Sequence, residues 1–131
     1  MSKTWRERDV TVVELAGQYD SFDVQRLQEL HELLTALAKT ATPPWLVLDL
    51  GHTRFVGSAF LEVVFRVWKR LKERDGRLAL CCLHPYCAEV IRATRLDQLW
   101  PLFESRAEAV NALAAPELES EASPPTDPGM E

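Results

Sequence analysis

The sequence predicts an α/β fold, a single domain with a mixed, mostly parallel β-sheet and helices packed in the crossovers. Short β-branched and apolar segments, typical of strands, alternate with longer segments whose apolar residues recur every three or four positions, typical of amphipathic helices. The chain has 131 residues, which suits one domain, and 47% of them are hydrophobic. Parallel neighbouring strands need crossover connections of this kind.

The first elements are predicted to be a hairpin and a helix. Residues 4–8 suggest a short edge strand, and residues 10–16, VTVVELA, are mostly apolar and β-branched, with a turn at Arg8-Asp9 between them. Asp20, Ser21 and Asp23 then offer N-cap chemistry for a helix. The positions of this helix that are expected to face the sheet are Val24, Leu27, Leu30, Leu34 and Leu37.

The rest of the folded part continues the alternation. Pro43-Pro44 prevents the helix from continuing, and residues 45–50, WLVLDL, predict a central strand that is covered on both sides. A second helix is predicted from Ser58 to Arg74, ended by Asp75-Gly76. Its predicted inward residues are Leu61, Val64, Phe65, Trp68 and Leu71. The remaining predicted elements are a strand at 77–83, a helix at 85–94, a short strand near 102–103 and a helix at 106–113.

Composition divides the chain into two parts. Residues 1–114 carry equal numbers of acidic and basic side chains, so the net charge of −5 comes from the acidic residues of the C-terminal end. Residues 115–131 are rich in Pro, Glu and Ser and lack the large apolar residues that could offset their ordering entropy. We therefore predict a domain at 1–114 and a disordered acidic tail at 115–131. A docking role of the tail for a basic partner is the alternative.

The three cysteines are interpreted as ordinary buried thiols. Cys81 and Cys82 point to opposite faces if the run LALCCL is a strand, which would prevent a shared metal site. His84 and Cys87 lie nearby, but a tetrahedral zinc site needs four ligands at workable spacing. No metal is expected.

Several function classes are not expected from this sequence. No apolar run approaches the length of a membrane span and no signal-peptide pattern opens the chain, so we expect a cytoplasmic protein without membrane association. The neutral folded part gives no bias towards nucleic acid. His31, His52 and His84 are scattered, and glycine-rich phosphate loops are absent. We therefore expect neither an enzyme nor a cofactor.

The turn that follows the central strand is the main functional candidate. In α/β sheets, sites lie at the carboxyl ends of the strands. The turns after Leu15 and Leu50 carry Gln18-Tyr19-Asp20 and Gly57-Ser58, and they are expected to be close in space. The small pair Gly57-Ser58 between bulky apolar residues suggests that the Ser58 hydroxyl is presented at a helix start. Serine is also a favoured N-cap, which is the structural alternative for Ser58.

Residues 4–114 resemble the STAS domain, which is shared by bacterial anti-sigma factor antagonists and sulfate transporter tails. The likeness rests on the order and spacing of several motifs. These are Gly-x-x-Asp at 17–20, the Val-Leu-Asp-Leu strand, Phe-x-x-Ser at 55–58, the Gly-Arg-Leu-Ala-Leu strand opening, the helix after Pro85, and Leu96-Asp97.

The resemblance implies a phosphoacceptor role for Ser58. In the family, a serine or threonine in an Asp-Ser-Ser-Gly-like turn is phosphorylated by a partner kinase that also sequesters a sigma factor. Here the family's Asp, second Ser and Gly are replaced by Gly57, Ala59 and Phe60. A carboxylate beside the serine can orient its hydroxyl or contact the kinase, and glycine can do neither.

The expected function is therefore that of a non-enzymatic protein-interaction switch of the anti-sigma factor antagonist kind. Its expected partner is an anti-sigma factor or serine kinase of the partner-switching type. A degenerate, non-phosphorylated scaffold and a small-ligand sensor are the alternatives. Phe60 is expected either to project as an apolar anchor or to pack in the core. The predicted partner-binding residues are Tyr19, Asp20, Ser21, Gly57, Ser58, Phe60 and Leu61.

Overall fold

The computed structural model describes residues 3–15, 17 and 24–115. The strands are β1 (Lys3–Glu7), β2 (Val10–Glu14), β3 (Trp45–Asp49), β4 (Arg77–Cys81) and β5 (Leu102–Phe103). The helices are α1 (Val24–Thr40), α2 (Ser58–Glu73), α3 (Pro85–Ala93) and α4 (Arg106–Ala114), with a short 3-10 helix at Leu96–Gln98. Most of the predicted tail, residues 116–131, lies outside this description.

The strands form one mixed sheet in the order β1-β2-β3-β4-β5. β1 pairs antiparallel with β2, and every other neighbouring pair is parallel. β3 is central, which confirms the prediction made from its apolar sequence. The predicted fold class, a mixed and mostly parallel sheet with helices in the crossovers, is confirmed.

The hairpin turn lies where the sequence places it. Arg8 and Asp9 both have positive φ, 50° and 69°. Two consecutive left-handed residues give the backbone twist that joins antiparallel strands tightly. The hairpin sets β1 along β2 in the register Trp5↔Val12, which brings the Trp5 side chain to the same face of the sheet as Val12.

The sheet has two faces with different contents. On the first, which we call the α1–α2 face, the larger core cluster packs against α1, α2 and part of α3 and includes Leu46, Leu48 and Leu80. On the second, the α4 face, a smaller cluster includes Val47, Ala79, Cys81 and residues of α4. Because successive strand residues point to opposite faces, Asp49 lies with Val47 on the α4 face.

Two predicted helix faces need correction. Val24 was expected to face the sheet but is 67% exposed, because it is the first residue of α1 and precedes the packed turns that begin at Leu27. In α2, Phe60 and Val67 are fully buried, whereas Phe65 and Trp68 are half-buried at the rim, with ring centroids 5.6 Å apart. The buried stripe of α2 is therefore rotated relative to the predicted one.

The end of α2 follows the predicted Asp75-Gly76 turn. Asp75 takes the left-handed conformation, with φ 57°, and Gly76 donates its N–H to the Leu71 carbonyl at 2.6 Å. A Cβ on Gly76 would lie 2.5 Å from the Pro44 carbonyl oxygen, so only glycine fits. This close approach joins the end of α2 to the start of β3.

Candidate functional site

The candidate site is the turn between β3 and α2, residues 50–57, together with the Ser58 position that follows. The Asp49 carboxylate accepts a hydrogen bond from the Gly51 N–H at 2.8 Å, and the Thr53 N–H donates to the Leu50 carbonyl at 3.0 Å. Leu50 itself donates to the Cys81 carbonyl of β4 at 3.0 Å. The turn is thus tied to the carboxyl edge of the sheet from its first residue.

Three further contacts tie this turn to the start of α3. The His84 Nε2–H donates to the Gly51 carbonyl at 3.0 Å, and the Cys87 thiol lies 3.5 Å from the Thr53 carbonyl. Phe55 stacks on Tyr86 with ring centroids 5.6 Å apart and planes 8° from parallel. Alternate residues of the turn therefore contact α3, and we call residues 51–58 with 84–87 the turn–α3 surface.

Burial keeps the Cys87 thiol neutral. Desolvation by burial raises the pKa of the Cys87 thiol above its ordinary value of 9.0. The sulfur therefore stays protonated at neutral pH and donates its proton to the Thr53 carbonyl. This contact places no charge under the turn.

Ser58 is exposed and is the first residue of α2, not its N-cap. The N-cap is Gly57, in the extended conformation with φ −111°, and the helix start has no side-chain cap hydrogen bond. The structural alternative for Ser58, that it serves as the N-cap, is therefore wrong. The first intrahelical bond runs from the Leu61 N–H to the Gly57 carbonyl at 3.2 Å. The amides before it point towards the start of the helix, where anions are stabilised.

The predicted partner-binding residues fall into three groups. Gly57 and Ser58 belong to the turn–α3 surface, with Gly57 half-buried and Ser58 exposed, and their contact with a partner stays a prediction. Phe60 is fully buried and Leu61 is 7% exposed, because both are inward positions of α2 in the larger core cluster. Phe60 is thus a core residue and cannot serve as a projecting anchor, which corrects the prediction that both side chains contact a partner. Tyr19, Asp20 and Ser21 lie outside the described residues.

The exposed apolar side chains at this site are different from the predicted ones. Phe55 is 41% and Tyr86 is 50% exposed, and they form the stacked pair described above. The sequence contains one signal for each of them: Phe55 is the aromatic of the Phe-x-x-Ser motif, and Tyr86 follows a proline at a helix start, where the core-facing stripe has not begun.

A negative charge lies one turn along α2 from Ser58. The Glu62 carboxylate, four residues after Ser58, pairs with Arg66 at 3.5 Å, and both side chains are largely exposed. Residues four apart on a helix are neighbours, so a phosphate on Ser58 would lie beside the Glu62 carboxylate. The helix start favours the phosphate while Glu62 opposes it.

Comparison with known proteins identifies the family. The family model for the STAS domain matches residues 4–109. The chain belongs to the STAS domain family. This confirms the resemblance drawn from the motifs, and the fold with its five-stranded mixed sheet agrees with it.

Individual relatives are named as anti-sigma factor antagonists. BtrV of Bordetella bronchiseptica, named as a candidate anti-sigma factor antagonist, is 39% identical over 67 residues, which are 51% of this chain and 58% of that protein. The matched part thus spans little more than half of that relative. The structure of an anti-sigma-factor antagonist (STAS) domain protein from Planctomyces limnophilus is 32% identical, with a TM-score of 0.78, over 87% of this chain and 98% of the other.

A more distant structure shares the fold alone. The phosphorylated form of the Bacillus cell fate determinant SpoIIAA is 18% identical, with a TM-score of 0.65, over 85% of this chain and 97% of the other.

The helices within residues 3–15, 17 and 24–115 lack the length and apolar character needed to cross a bilayer.

Proposed function

We propose that this STAS domain is a protein-interaction switch that binds a kinase-type anti-sigma factor through the turn–α3 surface. The observation that carries the proposal is the exposed Ser58 at the first position of α2, with the exposed Phe55–Tyr86 pair on the same surface. The names of the relatives support an anti-sigma factor as the partner.

The aromatic pair supplies the apolar part of the proposed contact. Aromatic side chains give most binding energy where they become fully covered at the centre of an interface. Phe55 and Tyr86 are already stacked, so little side-chain entropy is lost when a partner covers them. Their hydrogen-bonded supports, Gly51–His84 and Thr53–Cys87, hold the surface in one conformation before binding.

Ser58 supplies the proposed control point. A phosphoryl group would add about −1.5 to −2 charge at neutral pH. The helix start would hold the phosphate locally through unpaired amides, so the domain does not need to refold. The partner would instead meet a strongly hydrated charge three residues along the chain from Phe55, and its binding would weaken. SpoIIAA, which shares the fold, exists in a phosphorylated form.

The binding arm of the test uses purified kinase-type anti-sigma factors of the source organism and isothermal titration calorimetry. Tyr86→Ala is expected to weaken binding by about tenfold or more, because it removes a half-exposed anchor. Phe65→Ala, which truncates an aromatic of the Phe65–Trp68 pair farther along α2, is the matched control and should bind normally. Equal affinity for all three proteins would contradict the proposed surface.

The phosphorylation arm uses the same kinase with ATP and intact-mass measurement. One phosphoryl group is expected on the unsubstituted protein and none on Ser58→Ala, while Ser58→Asp should bind the partner about tenfold more weakly. Ser105, which caps α4, gives the matched control: Ser105→Ala should be phosphorylated normally. Normal binding without phosphorylation would instead identify the non-phosphorylated scaffold.

A further inference from the structure

A second group of reactive side chains lies on the α4 face of the sheet, away from the Ser58 helix start. One carboxylate oxygen of Asp49 and the sulfur atoms of Cys81 and Cys82 all lie within 4.8 Å of one another. Asp49 ends β3 and Cys81 ends β4, and the two residues are direct neighbours in the parallel register. The sheet therefore fixes the first two members of the group.

Cys82 joins this group because the strand stops before it. The sequence predicts a strand to residue 83, which would send Cys81 and Cys82 to opposite faces. Instead β4 ends at Cys81, and Cys82 takes the left-handed conformation with φ 63°. This conformation is uncommon for a residue with a side chain, and it turns the Cys82 sulfur back towards Cys81 and Asp49. The prediction that the two cysteines cannot share a site is thus wrong.

We infer that Asp49, Cys81 and Cys82 form a binding site for a thiophilic divalent cation such as Zn²⁺. Two sulfurs and one carboxylate oxygen are a donor set that zinc accepts, with water or an external ligand in the fourth position. In a tetrahedral zinc site, donors at about 2.0–2.3 Å from the metal lie about 3.5–3.8 Å apart. Side-chain rotations that close the group by about 1 Å therefore complete the geometry.

The surroundings of the group hold two of its members in place. The Gly51 N–H occupies one oxygen of the Asp49 carboxylate at 2.8 Å, which fixes the orientation of the other oxygen. Cys82 is held through its backbone, because its N–H donates to the Phe103 carbonyl of β5 at 3.1 Å. Arg106 is the first residue of α4, whose start is fixed by the Ser105–Glu108 capping box.

The charge of the site balances once a cation is bound. Binding of a divalent cation would release one proton from each thiol, and two thiolates, one carboxylate and the cation leave a charge of −1. The Arg106 guanidinium, 3.4 Å from the Asp49 carboxylate, compensates that charge. Arg106 is also 3.4 Å from Glu7 and lies over the Trp5 ring, so it has other partners when a cation takes the Asp49 oxygen.

The group is open to solvent on one side, and cation binding requires deprotonation of its two thiols. Asp49 is 4% exposed and Cys81 is fully buried, whereas Cys82 is half-buried and leaves the group open on one side. Burial raises the pKa of both thiols, so the cation must offset the loss of the two protons. Thiophilic cations do so because metal–thiolate bonds are strong.

The test is a titration of the reduced, chelator-treated full chain with Co²⁺, followed by displacement with Zn²⁺. We expect one Co²⁺ per chain with thiolate-to-cobalt charge-transfer absorption that Zn²⁺ abolishes. Cys81→Ser and Cys82→Ser should each reduce this absorption to half or less and bind Zn²⁺ about 100-fold or more weakly, since each removes a direct metal ligand. Asp49→Asn should keep the absorption and bind about tenfold more weakly.

The control is Cys87→Ser, which removes a buried thiol outside the group and should bind like the unsubstituted protein. Circular dichroism of each variant checks folding, and the half-buried Cys82 gives a variant that disturbs the core least. The inference is overturned if the charge-transfer absorption is missing, if Cys82→Ser binds Zn²⁺ normally, or if Cys87→Ser loses binding. The test needs no protein partner, so its outcome is independent of the proposed switch function.

Discussion

The two faces of the sheet differ in chemistry although the same strands build both. On the α1–α2 face, β3 and β4 contribute Leu46, Leu48, Leu78 and Leu80 to a fully apolar cluster. On the α4 face, the alternate residues end in Asp49 and Cys81, beside a smaller cluster. The first face thus supplies stability and supports the Ser58 turn, while the second keeps polar and reactive groups at its edge.

The largest expected effect comes from the core of the α1–α2 face. Phe60→Ala should reduce the free energy of unfolding by about 3–5 kcal/mol, because it leaves a cavity under the turn. Leu113→Ala in the smaller cluster of the α4 face should cost about 2 kcal/mol, since it removes a smaller side chain than Phe60→Ala does. Urea unfolding measures both. A near-neutral Phe60→Ala would contradict a core role.

A smaller effect is expected at the polar edge of the α4 face. Asp49→Ala removes the acceptor of the Gly51 N–H and the partner of Arg106, and should cost about 1–3 kcal/mol. Asp49→Asn keeps an oxygen for the Gly51 N–H and should cost less. Equal unfolding free energies for the two variants would show that the Gly51 hydrogen bond contributes nothing. Unfolding in the presence of a chelator separates this effect from cation binding.

The pH dependence of the free energy of unfolding should reveal the contribution of the buried Cys87 thiol on the turn–α3 surface. Burial raises the pKa of Cys87 above 9.0, so its stabilising contribution is complete below pH 9 and is lost as the pH rises further. The loss should reach at most about 1.4 kcal/mol per pH unit. The comparison is between pH 8 and pH 10.5, for the unsubstituted protein and Cys87→Ala. An identical slope for both would contradict the raised pKa.

The smallest expected effect concerns the start of α2. Gly57 has φ −111°, which any residue adopts, so Gly57→Asp restores the family's carboxylate without backbone strain. An aspartate N-cap should stabilise the domain by only a few tenths of a kcal/mol. Thermal unfolding measures that gain, and the rate of Ser58 phosphorylation by the kinase should rise if the carboxylate orients the hydroxyl. A drop in stability would mean that the N-cap side chain has no room.

Most of the fold follows from the sequence because hydrophobic periodicity reflects burial directly. The apolar run at 45–50 predicts the central strand, and the Asp75-Gly76 turn predicts the end of α2. The errors arise where tertiary packing decides. Val24 fits the periodic pattern but lies beyond the packed turns of α1, and Phe60 fits an exposed turn but is drawn into the core.

The candidate site was only partly predictable for a similar reason. The Phe-x-x-Ser motif identifies the Ser58 turn. The alternation of side chains along the strands places Asp49 and Cys81 on one face of the sheet. Contacts between distant segments have no local signal, so the stacking of Phe55 on Tyr86 could not be predicted. The turn of Cys82 depends on where β4 stops pairing, and a run of apolar residues gives no sign of that position.

The two edges of the sheet have a consequence for how the domain meets other chains. A long, flat, apolar edge strand invites pairing with another polypeptide, and charged or very short edges prevent it. At one edge β1 carries Lys3, Arg6 and Glu7, and at the other β5 has two residues. Among the described strands, neither edge is therefore a template for strand addition. The sheet edges of this domain therefore disfavour self-association through backbone pairing.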